Sequence, residues 1–540
     1  FSKRFQLRRL KSIKMRRFKT INTFFPRTVH TGALRGPLDQ CFVNGFQIRW
    51  KKSKISEKVE IIPAPLPDQV ILPLQQRIGD EAIPCVKIGD KVLTGQVIAK
   101  AEDHFCVPIH ASISGKVVSI DDQTIPHKSG LKSKCITIES DGKDQWMEQS
   151  GCGSDFLHYD QATMIEYIRS SGIVGLGGAG FPAHAKLEGI QDCHTLIING
   201  TECEPGIMCD DALMQHHPRE VVRGVEILLH ICGAQRAVIA VEDDKQEALN
   251  SLLMHCHNDR ISIEQIPTKY TSGSEKLLIK ALLGIEIPSG CFAIDIGVLC
   301  QNIATTKAIF DAVVNNKPLI SRIVTVTGSG VESPNNYEVR LGASFEHIVS
   351  MASPDANQHA VRMGGMMMGV DVETTDIPIC KITNCIFVNN IEDKPSTQEC
   401  IRCGQCNQAC PVDLLPQQLY WYAKSENTDK AMDYNLADCI ECRCCDYVCP
   451  SHIPLAEYFS FAKALHHKTT EDQYRTDIAR ERFEFREYRL ERNNQERAEM
   501  MAAKKEELKK KMANDKAQKD KIAAAMARVK QTKKSNDDAQ

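Results

Sequence analysis

Two cysteine runs carry the strongest chemical signal in this 540-residue chain. Both have the spacing C-x2-C-x2-C-x3-C-P, and their members are Cys400, Cys403, Cys406 and Cys410 in the first run and Cys439, Cys442, Cys445 and Cys449 in the second. Three closely spaced thiolates can surround one [4Fe–4S] cluster, while the fourth cysteine begins a segment that reaches a second cluster. Zinc also binds C-x2-C pairs but does not need the repeated x3-C-P element, so the spacing favours iron–sulfur chemistry over zinc.

The repeated run is the pattern of two-cluster bacterial ferredoxins. That pattern implies two ligand sets, namely Cys400, Cys403, Cys406 and Cys449 for the first cluster and Cys439, Cys442, Cys445 and Cys410 for the second. The motif gives Cys444 no ligand role. We interpret the other fifteen of the 23 cysteines as ordinary thiols, many of them buried. An odd cysteine count excludes a fully paired disulfide framework, and thiolate ligands require a reducing compartment, so a cytoplasmic location is expected.

A glycine-rich loop is the second feature that could do chemistry. It runs Gly175-Leu-Gly177-Gly178-Ala-Gly180-Phe-Pro-Ala-His-Ala-Lys186 and opens a predicted helix. Closely spaced glycines let backbone N–H groups approach a phosphate, a helix N-terminus favours its negative charge, and Lys186 could add a cation. Taken alone, the loop could also be a structural turn.

Polar residues follow the next predicted strand, Thr195-Leu-Ile-Ile-Asn199. They are Glu202, Glu204, Asp210 and Asp211. Acids placed after a strand can accept hydrogen bonds from ribose or amide groups, as at the strand ends where α/β folds bind nucleotides. Capping of the following helix is an equally good interpretation for Asp210 and Asp211, and a weaker one for Glu202 and Glu204.

The elements around these motifs change character along the chain. Residues 60–145 read as short strands separated by Gly-Asp and Ser-Gly turns, which predicts a small sandwich or barrel. That stretch resembles the hairpins of biotinyl and lipoyl carrier domains without their attachment lysine, so a structural module is expected. Residues 155–315 alternate helices with buried strands, a β-rich segment follows, and a helical insert is predicted over Leu414 to Lys424, between the cysteine runs.

The ends of the chain differ from its middle. Nine lysines and arginines lie between Lys3 and Lys19, and no acid precedes Asp39, which is compatible with a presequence, a lipid-facing basic patch or a solvated arm. A secretory signal is disfavoured because no apolar segment follows these charges. After about residue 470 the chain is charged and lacks an apolar face, which predicts a solvated helix ending in disorder around Lys530. With 42% hydrophobic residues, net charge -2 and no bilayer-length apolar run, the whole is an ordinary globular chain that does not itself cross a membrane.

Together the motifs resemble a known family. The Gly-Leu-Gly-Gly-Ala-Gly-Phe-Pro loop and Asn199-Gly-Thr-Glu-Cys-Glu-Pro resemble the flavin- and NADH-binding subunit of respiratory complex I. The fuller series resembles the C subunits of Rnf electron-transport complexes: Leu74-Gln-Gln-Arg-Ile-Gly, Pro267-Thr-Lys-Tyr-Thr-Ser-Gly-Ser-Glu, Arg362-Met-Gly-Gly-Met-Met-Met-Gly and the double cysteine motif. The resemblance covers about residues 60–460 in unbroken order.

The resemblance implies a multidomain α/β and α+β protein. Its expected segments are a basic N-terminal arm (1–55), a barrel-sandwich hybrid domain (56–150), a complex-I-flavoprotein-like NADH/FMN-binding α/β domain (155–315), a soluble-ligand-binding β-grasp (SLBB) domain (317–375), a ferredoxin-like helical module with two [4Fe–4S] clusters (390–465) and a charged helical or disordered tail (466–540).

The family also implies the site residues. Gly175, Gly177, Gly178, Gly180 and Lys186 would meet non-covalent FMN and the nucleotide. Asn199, Glu202 and Glu204 would contact flavin or nicotinamide, and Ser274, Glu275 and Asn302 would complete the flavin pocket. Because the cofactors carry the chemistry, no general acid or nucleophile is expected from the protein.

The expected function is that of a peripheral subunit on the cytoplasmic side of a bacterial inner membrane. It would pass electrons between NADH, FMN and the clusters in an ion-translocating NADH:ferredoxin oxidoreductase. Integral membrane and other subunits are the expected partners, ferredoxin is a further candidate, and no nucleic acid is expected. Two alternatives stay open: a soluble NADH-dependent diaphorase-type subunit of a hydrogenase or formate dehydrogenase, and a non-catalytic docking subunit whose clusters are structural.

Overall fold

A computed structural model describes residues 59–76, 81–127, 130–148, 151–190, 192–355, 359–391 and 395–537. The basic arm predicted for residues 1–55 lies outside the described residues. The chain divides into two compact units: the first extends to Trp421 and resumes over Asp433–Phe459, and the second comprises Tyr422–Met432 and the residues from Ser460 onward.

Two small antiparallel sheets follow the start of the described chain. The first has the strand order β2-β8-β7-β4 and the second β3-β5-β6. Across the β2–β8 pair, Val70 faces Ile138 and Leu72 faces Ile136, and all four side chains are buried. The strands are β2 (Gln69–Pro73), β3 (Ile83–Pro84), β4 (Lys91–Val92), β5 (Val97–Lys100), β6 (Ile109–His110), β7 (Gly115–Thr124) and β8 (Lys132–Ser140). The predicted small sandwich of short strands is therefore confirmed.

A parallel four-stranded sheet with flanking helices comes next, in the order β11-β10-β9-β12. Its strands are β9 (Thr195–Gly200), β10 (Arg236–Glu242), β11 (Ile261–Ile266) and β12 (Val298–Asn302). Its helices are α1 (Gln161–Ser170), α2 (Ala183–Glu188), α3 (Cys209–His216), α4 (Pro218–Cys232), α5 (Gln246–His255), α6 (Glu275–Leu283) and α7 (Ile303–Asn315), with short 3-10 segments at Gly153–His158 and Ala293–Ile296. Because all the strands are parallel, their carboxyl ends meet at one edge.

A mixed six-stranded sheet has the order β1-β14-β13-β17-β15-β16. It is formed by β1 (Ile61–Pro63), β13 (Ser321–Thr327), β14 (Asn335–Arg340), β15 (His359–Met363), β16 (Val370–Val372) and β17 (Cys385–Asn390), with α8 (Phe345–Met351) after β14. The predicted segment 317–375 holds only part of this sheet. Strand β17 pairs in parallel with β13 and β1 pairs with β14, so the sheet extends beyond both ends of the predicted segment. Pairings between strands so distant in sequence leave no local pattern.

The cysteine region is built from short helices. They are α9 (Gln405–Gln408), α10 (Pro416–Lys424), α11 (Thr428–Asp433) and α12 (Cys444–Tyr447), with a 3-10 turn at Leu436–Asp438. Helix α10 confirms the insert predicted between the two cysteine runs.

The last element is one long helix, α13 (Leu455–Asp537). The disorder predicted around Lys530 is therefore wrong as far as Asp537. Leu455, Phe459 and Ala462 are buried at the start of α13. Beyond about residue 470 the described part of this helix has no buried face, and pairs of opposite charge one turn apart, such as Arg475 with Glu471 and Lys511 with Glu507, support the helix there. No helix among the described residues is both long and apolar enough to span a membrane.

Candidate metal centre and nucleotide site

The two cysteine loops repeat each other in backbone conformation as well as in sequence. Arg402 and Glu441, which occupy equivalent positions, have φ of 57° and 54°. Gly404 and Arg443, at the next equivalent position, have φ of 79° and 60° and each precedes a short helix. Left-handed residues are costly for anything but glycine, so their recurrence at matched positions indicates a loop shape that the cysteines require.

Four thiols of the second predicted ligand set surround one cavity. The cysteines that line it are Cys410, Cys439, Cys442, Cys445 and the additional Cys444. Cys410 comes from the first run and the others from the second, as the ferredoxin pattern implies. Burial raises the pKa of Cys445, and the charges of Asp446, Cys442 and Cys439 raise it further. Thiols held this close and this dry suit a cationic centre that binds them as thiolates.

The first predicted ligand set lies nearer the surface. Burial raises the pKa of Cys406, with the charges of Cys403 and Cys400 adding to the rise, and Cys403 is solvent-exposed. The segment after Cys449 lies beside the segment before Cys400, because Gln398 N donates to Ser451 O at 2.8 Å and Ser451 Oγ donates to Glu399 O at 2.9 Å. The fold thus brings the last cysteine of the second run to the first run.

The glycine-rich loop is a closed turn. Gly175 N donates to Phe181 O at 2.8 Å and Gly180 N donates to Gly175 O at 3.1 Å. Gly178 has φ of +100°, and a Cβ built on it would meet no heavy atom within 4 Å. At Gly177, by contrast, a Cβ would come within 3.2 Å of Asn302 Cβ. The loop therefore packs against Asn302 at Gly177 and leaves open space at Gly178. A phosphate-binding loop needs such space beside its backbone N–H groups.

The carboxyl edge of the parallel sheet gathers the other predicted residues. Asn199 and Asn302 are register partners at the ends of β9 and β12. The Asn199 amide donates to Gly273 O at 2.9 Å, one residue before Ser274 and the start of α6. Lys186 Nζ lies 3.2 Å from Glu275 Oε2 and donates to Cys300 O at 2.6 Å. The ends of β9 and β12, the helix that carries Lys186 and the first turn of α6 therefore meet at the carboxyl edge of the parallel sheet.

Glu202 is half-buried and caps the following helix. Its carboxylate oxygens accept the N–H groups of Asp210 and Asp211 at the start of α3, at 3.0 and 3.2 Å. Burial, followed by the charge of Asp210, raises the pKa of Glu202 to about 8. The capping role, which the sequence left as an equally good interpretation for the two aspartates and a weaker one for Glu202, is thus performed by Glu202.

Glu202, Cys209 and Asp210 also place potential metal ligands close together. The buried guanidinium of Arg322 lies beside them, and their negative charges in turn act on its pKa. A positive charge is therefore already present, and we infer no metal ion there.

Glu204 supports a different turn. Its Oε1 accepts the N–H groups of Met367 and Met368 at 2.6 and 2.8 Å, and burial raises its pKa. Gly365 passes so close to Glu204 that any Cβ would collide with it. These contacts explain why Met-Met-Met-Gly and Glu-Cys-Glu-Pro occur together in one chain.

Two residues of this region were missed by sequence reasoning. Thr305 Oγ1 accepts the N–H of Leu176 at 2.8 Å and fixes the glycine-rich loop to α7. Tyr270 donates its hydroxyl hydrogen to Cys442 O at 2.7 Å, which joins the α/β domain to the second cysteine loop. Both lie near motifs recognised in the sequence, yet their partners are more than a hundred residues away.

Family models match three parts of the chain. Residues 41–143 match the RnfC barrel sandwich hybrid domain, residues 168–311 the Nuo51 FMN-binding domain and residues 399–453 a 4Fe-4S dicluster domain. The predicted barrel-sandwich, flavoprotein and iron–sulfur modules are confirmed at this level, and the zinc interpretation is not supported.

Curated relatives match nearly the whole chain. The C subunit of the ion-translocating oxidoreductase complex of Klebsiella pneumoniae is 45% identical over 86% of this chain and 61% of its own length. The protein of the same name from Salmonella gallinarum is 43% identical over 86% of this chain and 69% of its own length. The chain therefore spans about two thirds of the length of these relatives. Among solved structures, an NAD+-reducing [NiFe]-hydrogenase in its H2-reduced state matches with a TM-score of 0.41 and 17% identity over 57% of this chain and 61% of that chain.

Proposed function

The chain belongs to the family of C subunits of ion-translocating oxidoreductase complexes, and we propose that it passes electrons between NADH, FMN and two [4Fe–4S] clusters in such a complex. In this proposal it is a peripheral subunit on the cytoplasmic side of a bacterial inner membrane. Its partners are the integral membrane and other subunits, and ferredoxin is the second redox substrate of the complex. Residues 317–390 would form the SLBB β-grasp domain.

One observation carries the proposal: helix α6 touches both sites. Its first residue, Glu275, pairs with Lys186 below the glycine-rich loop. Further along the same helix, Leu277 and Ala281 pack against Val412 and Ile440, which neighbour cysteines of the second ligand set. A helix of nine residues is only about 14 Å long, so a flavin near its first turn and a cluster beside its flank would lie at a short separation.

In this proposal the chain's own residues bind and orient the cofactors. The turn around Gly178 would admit a phosphate, and Lys186, which pairs with Glu275 and Cys300 O, would supply a cation to it. Asn199 and Asn302 would offer amide groups at the sheet edge. FMN held here would supply hydride acceptance from NADH, and clusters held by the cysteines would supply one-electron transfer. Eight thiolates hold the clusters, with Cys410 and Cys449 each serving the opposite run.

The family membership separates this proposal from the two alternatives. A diaphorase-type subunit would share the flavin and cluster modules, but the matched relatives carry the name of an ion-translocating complex. A docking subunit with structural clusters would not need the convergence of Lys186, Glu275 and Asn302 on one sheet edge.

An anaerobic titration with NADH tests the proposal. Chain loaded with FMN and iron–sulfur clusters should lose its visible flavin and cluster absorbance when NADH is added. Lys186→Gln should weaken FMN binding about tenfold, because one charge-assisted contact to phosphate is removed. Lys280→Gln, an equal charge change on the same α6 helix next to Glu286, should bind FMN as the parent does. A loaded chain that NADH does not bleach would reject the proposal.

A further inference from the structure

Tyr270 lies at the junction of the α/β domain and the second cysteine loop. Its side chain is 5% exposed, and it packs with Met367, Ala409, Cys442 and Cys444. Its hydroxyl donates a hydrogen bond of 2.7 Å to the carbonyl oxygen of Cys442. A tyrosine can bury its ring in an apolar contact only if the hydroxyl finds a partner, and here the partner is the backbone of a predicted cluster ligand.

Other contacts place the same loop against the same domain. Lys276 Nζ on α6 donates to Asp438 Oδ1 at 2.8 Å, next to Cys439. The apolar contacts of α6 with Val412 and Ile440 flank Cys410 and Cys439 in the same way. The loop of the first ligand set is more open, since Ile401 is 68% exposed. The second cluster is therefore the one that faces the flavin-binding domain.

The carbonyl dipole of Cys442 should affect the reduction potential of the cluster, because Cys442 is itself a predicted ligand. Reduction adds negative charge to a cluster, so the negative end of a nearby carbonyl dipole opposes reduction. A hydrogen bond donated to that oxygen offsets part of its charge and stabilises the reduced form. Hydrogen bonds and burial around a cluster are the protein's means of setting its reduction potential.

We propose that Tyr270 is a positioning residue that raises the reduction potential of the cluster held by Cys410, Cys439, Cys442 and Cys445, and so makes it the entry point for electrons from the flavin. The inference rests on the proposed function. The step is a one-electron transfer in which one electron leaves the reduced flavin and one is gained by the cluster, with NADH supplying the pair. No bond to Tyr270 forms or breaks.

The test is a mediated redox titration of the full chain with its clusters, followed by electron paramagnetic resonance. Tyr270→Phe should lower the midpoint potential of the second cluster and leave that of the first unchanged. A tenfold loss in the equilibrium constant for reducing that cluster corresponds to about 59 mV for one electron. Cys439→Ser identifies the second cluster, because its signal should be altered while the other remains.

Two controls separate the hydrogen bond from other effects. Tyr337→Phe makes the same chemical change at a buried tyrosine in β14, and neither potential should move. Leu277→Ala loosens the contact of α6 with the second cysteine loop without removing a hydroxyl, and it should not reproduce the shift.

Three results would overturn the inference. They are unchanged potentials in Tyr270→Phe, an equal shift in Leu277→Ala, and loss of the second cluster in Tyr270→Phe, which would assign Tyr270 to assembly. Failure of the proposed function would look different. Because chemical mediators set the potentials, the titration reads out the clusters even in a chain that NADH does not reduce.

Discussion

Buried ionisable residues define how this protein responds to pH. Lys381 is 2% exposed and its Nζ donates to Gly172 O at 2.8 Å, close to His110. Burial lowers the pKa of Lys381 to about 7, and burial followed by the charge of Lys381 lowers the pKa of His110 to about 3. Both groups are therefore basic side chains that the fold holds in or near their neutral forms.

Lys381 should make stability rise with pH. Between about pH 7 and pH 10.5 the unfolded lysine keeps its proton while the folded one has lost it, so the free energy of unfolding increases across that window, by at most about 5 kcal/mol. Lys381→Met should abolish this increase in urea unfolding curves. Lys143→Met, the same change at an exposed position, should leave it intact. An unchanged pH dependence in Lys381→Met would contradict the assignment.

Substitutions of Glu202 test whether its carboxyl group caps helix α3. Glu202→Ala removes both acceptors at the start of α3 and should lower the free energy of unfolding at pH 7 by about 1–2 kcal/mol, as measured by urea denaturation. Glu202→Gln should cost clearly less, because a carboxyl with a pKa of about 8 is already mostly protonated at that pH. If capping is its main role, Glu202→Gln should also bind FMN like the parent. Weaker FMN binding at unchanged stability would instead indicate a flavin contact.

At the scale of elements, the two cysteine loops are predicted to exchange one ligand each. The cavity that contains Cys410 with Cys439, Cys442 and Cys445 supports this exchange directly. Cys410→Ser should therefore disturb the cluster of the second run, and Cys449→Ser that of the first, as seen in electron paramagnetic resonance spectra of the reduced chain. Cys444→Ser is the matched control, because the motif gives Cys444 no ligand role. Disturbance of the cluster in the mutated residue's own run would contradict the exchange.

Residue spacing in the sequence predicted those features whose residues lie close together along the chain. The cysteine ligands, the glycine-rich turn and helix α10 could be recognised because their residues are close in sequence. Tyr270 could not be assigned, since Cys442 lies 172 residues away. Likewise, nothing near Glu204 reveals that its carboxylate accepts the N–H of Met367, 163 residues later. Sheet edges show the same limit, because β1 pairs with β14 although Ile61 and its partner Asn336 lie far apart in the sequence.

At the scale of the whole molecule, both predicted redox sites belong to one unit. The first unit contains the sheet edge with Asn199 and Asn302 and the eight cysteines of both runs. The second unit contains most of α13, whose many charged residues pair along its surface. The proposed electron transfer between these sites would therefore depend on packing within the first unit.

A truncation tests this division of roles. A chain ending at Thr470 keeps every residue of the first unit and should retain the FMN and iron content of the full chain, since no predicted ligand is removed. It should lose far-UV circular dichroism at the helical bands in proportion to the residues of α13 deleted. Raised salt screens the exposed ion pairs of α13, each of which contributes little, and should therefore weaken the helix of the full chain slightly. It should not release cofactor, because the predicted ligands lie in the first unit. A truncated chain that lost a cluster would show that α13 supports the redox unit, and the separation of the two units would then be wrong.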